Sequence, residues 1–104
     1  MICGIKQVVF LFFMSDHLRK PEAPNWKEID PIIESYRRST RLMEYFDRLK
    51  SNVRREWKEA NSAPPDSPLI ALYNAYHGLL MRDLGKLKKA GGDIQKAKEL
   101  IFHT

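Results

Sequence analysis

Cysteine is almost absent. Cys3 stands alone, so no disulfide can form within the chain, and such usage fits a reducing compartment. Long apolar runs are missing as well. The densest is Val8–Met14 (VVFLFFM), far short of the about 20 apolar residues that a membrane-spanning helix needs. The run also makes a poor secretory signal, because only Lys6 precedes it and no small-x-small cleavage pattern follows. Membrane attachment is therefore disfavoured and a cytoplasmic location expected.

Glycine is scarce and forms no phosphate-cradling loop; Gly91-Gly92 reads instead as a helix stop. His17, His77 and His103 are scattered through the chain, and none stands at metal-ligand spacing with another His, Cys or acid. No nucleophile-elbow pattern occurs, and the carboxylates have arginines close by with which to pair. These absences argue against an enzyme. No catalytic residue, cofactor or metal ligand is assigned.

An excess of charge of one sign is present but spread out. Eighteen Lys and Arg against 13 Asp and Glu give +5, distributed along the chain with no basic or acidic tail. At 104 residues the chain is expected to form one domain. Residues 1–14 are an apolar N-terminal segment. Residues 15–30 read as a linker broken by Pro21 and Pro24, and residues 31–104 as the folded part. Three readings stand for the N-terminal segment: an ordered element packed on the helical body, a membrane-surface or cleaved segment, or an over-extended start with Met14 the initiator.

What the sequence does contain is helical periodicity. Ile32, Tyr36, Ser39, Met43, Phe46, Lys50, Val53, Trp57 and Ala60 recur at alternating four- and three-residue steps, widened by Leu42 and Leu49. At about 100° per residue they share one side, which predicts one uninterrupted helix over Pro31–Ala60. Two starts compete. Asn25 with Glu28 is a capping-box pattern, whereas Asp30-Pro31 puts an acceptor at the cap and proline at the first helical position. The second is taken as the main start, with at most one turn of helix before it.

Pro64-Pro65 ends that helix. Ser67 then caps a second, Leu69 to about Ala90, whose stripe is Leu69, Leu72, Tyr73, Tyr76, Leu79, Leu80, Leu84 and Leu87. Lys86, Lys88 and Lys89 suit its negative C-terminal end. Asp93 caps a short third helix, Ile94–Phe102. The expected fold is all-α: a long antiparallel helical hairpin plus a short C-terminal helix. So little helix rarely closes a core alone, which points to a homo-oligomer or a protein partner.

Two surfaces stand out. Ala71, Gly78 and Gly85 lie seven residues apart, away from the leucines. Glycine inside a helix costs about 1 kcal/mol relative to alanine, so this is a candidate seam for a partner helix; the alternative is a tolerated solvent face. Arg37, Arg41, Arg48 and Arg55, with Tyr45 beside them, form the other. Arginines at helical spacing can follow a phosphate backbone, making these the candidate nucleic-acid contacts. Against that, Glu34–Arg38 and Glu44–Arg48 are i,i+4 pairs of the kind that support an ordinary solvated face. Lys50 interrupts the apolar stripe, either as a register-setting polar residue or with its stem along the groove and its ammonium in water.

The expected function is that of a small basic helical protein–protein interaction module (a subunit, adaptor or regulator) that self-associates. The alternative is a nucleic-acid-binding accessory protein using the arginine face.

Overall fold

The computed structural model describes residues 21–103. Cys3, Val8–Met14 and His17 lie outside the described residues, and with them the three readings of the N-terminal segment. Among the described residues there are four helices and no strand: α1 (Trp26–Glu34), α2 (Thr40–Asn61), α3 (Pro68–Ala90) and α4 (Ile94–Phe102). The chain is all-α, with α2 and α3 forming a helical hairpin and α4 closing it as a short C-terminal helix. The most extensive packing is between α2 and α3, and both α4 and α1 also rest on α3.

Where local chemistry sets a boundary, sequence and structure agree. Ser67 accepts the Leu69 N–H at 3.2 Å to cap α3, and Pro68 opens it without wasting a donor. Gly91 stops α3 in the left-handed region (φ 62°), which a residue without Cβ enters at no steric cost. The Asp93 carboxylate accepts the Lys96 N–H at 3.1 Å and starts α4.

The expected uninterrupted helix is broken in two. Its first part begins a turn early, at Trp26, because the Asn25 carbonyl accepts the N–H groups of Glu28 and Ile29 at 3.1 and 3.0 Å. Asp30-Pro31 is therefore inside α1 and is not its cap. The chain then turns over Ser35–Ser39. Ser35 Oγ donates to the Ile32 carbonyl at 2.6 Å, and Ser39 Oγ accepts the Leu42 N–H at 3.2 Å as the cap of α2. Between them Tyr36 points inward: its hydroxyl donates to the Leu87 carbonyl at 2.5 Å and accepts the Gly92 N–H at 2.9 Å. These bonds tie the α1–α2 turn to the α3–α4 turn. The break also makes the hairpin rods nearly equal, 22 and 23 residues, where a longer first rod was expected.

The core runs through all four helices. Ile29, Ile33 and Tyr36 bring the α1 segment against Leu42, Phe46, Leu49 and Val53 of α2 and Tyr73, Leu80, Leu84 and Leu87 of α3; Ala97 and Ile101 add α4. Burial of such side chains contributes about 1.5–3 kcal/mol each. Lys50 finds a partner within the chain. Its ammonium lies 2.6 Å from Asp30 Oδ1, an atom shielded from solvent, so it bridges α2 to α1 with only 18% of its side chain exposed. Trp26 flanks this bridge, with the Arg54 guanidinium 4.7 Å from the ring centre.

Candidate functional site

Although α3 touches each of the other helices, it keeps apolar surface of its own. Leu69, Leu72 and Met81 are 37, 43 and 47% exposed. Leu69 and Leu72 continue into the half-buried Tyr76 and Leu79 at three- and four-residue steps, so the four share one side of the helix. Further along that side comes Asp83, and there α4 takes over. Phe102 stands edge-on to Tyr45 at 5.4 Å, and the Tyr45 hydroxyl donates to Asp83 Oδ2. The last residue of α4 is thus level with Asp83, and the strip from Leu69 to Leu79 extends beyond it.

Asp83 is 1% exposed and has Arg82 Nε and Lys86 Nζ at 3.7 and 3.8 Å. Burial, and then the carboxylate at its hydroxyl, push the Tyr45 phenol up to about 12, which keeps it protonated as a donor. Tyr73 is likewise pushed up to about 12, first by burial and then by the Glu22 charge; its hydroxyl donates to the Glu22 carbonyl.

The other side of α3 borders a cleft of about 230 Å³ shared with α1, lined by His77, Met81, Gly85 and Lys88 and by Glu22, Glu28 and Ile32 among others. His77 stacks on Tyr73 at 5.6 Å between ring centres, and burial lowers its pKa below the ordinary 6.5 while the Glu22 charge partly opposes the shift. Among the described residues the cleft lining has one imidazole and no serine, threonine or cysteine. Among the described residues no three His, Cys, Asp or Glu side chains are placed to hold a metal ion, and no helix is long and apolar enough to cross a membrane.

The small-residue seam lies open. Ala71, Gly78 and Gly85 are all exposed, and a Cβ added at either glycine would meet nothing within 4 Å. Among the described residues no helix packs directly against those glycines, although Gly85 lines the cleft shared with α1.

The five candidate nucleic-acid contacts are only partly gathered. Arg41, Arg48 and Arg55 keep their seven-residue spacing along α2, but the break removes Arg37 to the α1–α2 turn, where it lies 3.7 Å from Glu34. Arg41 sits over the Phe102 ring at 4.0 Å, and Arg55 donates to Asn52 Oδ1 at 3.1 Å and to Glu56 Oε1 at 3.2 Å. Tyr45 turns inward to Asp83, so its ring is part of the α4 contact and not an open stacking platform.

Sequence reasoning missed Trp26 and Arg54, which clasp α1 to α2, and the meeting of the two turns at Tyr36. The cap-type residues Ser35, Ser39 and Thr40 within five positions of one another were the available signal for that turn. Compared with protein-family models, curated proteins and solved structures, the chain shows no match.

Proposed function

We propose that this protein is a protein–protein interaction module that self-associates through α3. The observation that carries this reading is the exposed pair Leu69 and Leu72, continuous with Tyr76 and Leu79 on the side of α3 that α4 leaves open. Contiguous apolar surface of this kind is where association gains free energy, and leucines with an adjoining tyrosine are suitable anchors.

The Ala71–Gly78–Gly85 seam is the other open side of α3, where the missing Cβ atoms leave room for a partner helix. Light scattering of the purified full chain separates the two surfaces. The expected mass is a multiple of 12.2 kDa, reduced to that of one chain by Leu69→Glu with Leu72→Glu and unaffected by Gly78→Leu with Gly85→Leu. The opposite pattern assigns the contact to the seam. A wild-type chain of single mass at high concentration defeats self-association.

A further inference from the structure

Charge that is evenly spread along the sequence becomes concentrated in the folded molecule. The α1–α2 turn and the α3–α4 turn are separated by some 50 positions in sequence, yet Tyr36 joins them at one corner through the Leu87 carbonyl and the Gly92 N–H. The α1–α2 turn itself carries Arg37 and Arg38 with Arg41 just beyond it, and the α3–α4 turn has Lys88 and Lys89 before it and Lys96 after. Residues 34–43 and 86–97, which span the two turns and part of the adjoining helix ends, hold seven Lys and Arg against two acids, Glu34 and Asp93. The other described residues hold eight against ten. The corner is therefore net positive and the rest of the described chain net negative.

Three further observations describe the corner. Arg37, Arg38, Lys88 and Lys89 are all exposed there, with Arg37 3.7 Å from Glu34 and Lys88 at the rim of the α1 cleft that Glu22 and Glu28 also line. The α3–α4 turn between them is Gly91-Gly92, with open space where each Cβ would stand, so the surface is low and a chain of phosphates can approach it closely. Among the described residues no large exposed apolar side chain lies in the corner: Leu69, Leu72 and Met81 are all elsewhere on α3. A protein partner is ordinarily anchored by a buried apolar or aromatic residue, and a lipid surface by inserted apolar ones. A corner of arginines and lysines without either matches a phosphate backbone.

We infer that the corner formed by Arg37, Arg38, Lys88 and Lys89 is a sequence-independent binding site for the phosphate backbone of nucleic acid. It is distinct from the α3 strip, and it replaces the α2 arginine face as the place where such contact is made. Binding here is electrostatic and releases counterions, so affinity falls steeply with salt.

Fluorescence anisotropy of a labelled DNA duplex, titrated with the full chain over a series of salt concentrations, tests this. Each phosphate contact contributes about 0.9 to the slope of log affinity against log salt, so Arg37→Ala, Arg38→Ala, Lys88→Ala and Lys89→Ala together lower the slope by roughly 3 to 4. Lys88→Glu with Lys89→Glu, which leaves the α1–α2 turn intact, abolishes binding at moderate salt, with the helical circular dichroism signal retained. Arg48→Ala with Arg55→Ala leaves affinity and slope unchanged. No binding at low salt, equal loss in the Arg48/Arg55 variant, or tighter binding to phosphatidylserine vesicles than to the duplex overturns the inference.

Discussion

Tyr36 shows how much one phenol can decide. Its hydroxyl both donates to Leu87 and accepts from Gly92, and the side chain is 1% exposed. Tyr36→Phe keeps the ring and removes both bonds, leaving the Leu87 carbonyl buried without that partner. The expected loss is about 1–3 kcal/mol in urea unfolding, with the helical signal retained. His77 supplies a pH dependence whose sign follows from its surroundings. Burial lowers its folded-state pKa below 6.5, so as pH falls through 6.5 the unfolded chain takes up the proton first and the folded state loses stability. Stability that is complete above 6.5 should decline as pH falls toward the lowered value. Urea midpoints of wild type and His77→Gln at either end of that window check it: the decline attributable to this imidazole is absent from the variant.

At the level of the helices, the two interior glycines offer a clean measurement. Gly78 and Gly85 are helical and nothing approaches within 4 Å of an added Cβ. Gly78→Ala and Gly85→Ala should therefore each raise the stability of the single chain by about 1 kcal/mol in denaturant unfolding. The boundaries of α3 and α4 were legible because their caps are local. Ser67, Asp93 and Gly91 act on N–H and carbonyl groups within a few residues, and so can be read from a short stretch of sequence. The break between α1 and α2 was not legible in the periodicity. Ile32, Tyr36, Ser39 and Met43 keep helical spacing straight across it, while the bond that draws Tyr36 inward reaches a carbonyl 51 residues away. The same long-range closure took Tyr45 out of the arginine face, since Asp83 lies 38 residues on. The open seam stands away from the leucine stripe, but Leu69 and Leu72, read as part of that stripe, are 37 and 43% exposed, while Ile70, left out of it, is buried.

On the scale of the whole molecule, the charge distribution carries the largest lesson. Along the chain the cations are spread; folded, they gather where two distant turns meet, and no sequence window contains that corner. Residue types alone suggested phosphate contact, and the corner proposed for it is set by topology. The architecture has a further consequence through α3, against which α1, α2 and α4 all pack. A helix that braces every other element can lose its hydrogen bonds only when all of them let go, while the nine-residue α4 can detach with fewer contacts broken. Backbone amides near Leu80 and Leu84 in α3 should then exchange with deuterium only through global unfolding, and those of α4 through cheaper partial opening, an order that native-state exchange followed by NMR would reveal. The last helix would behave as a latch whose release leaves the hairpin standing.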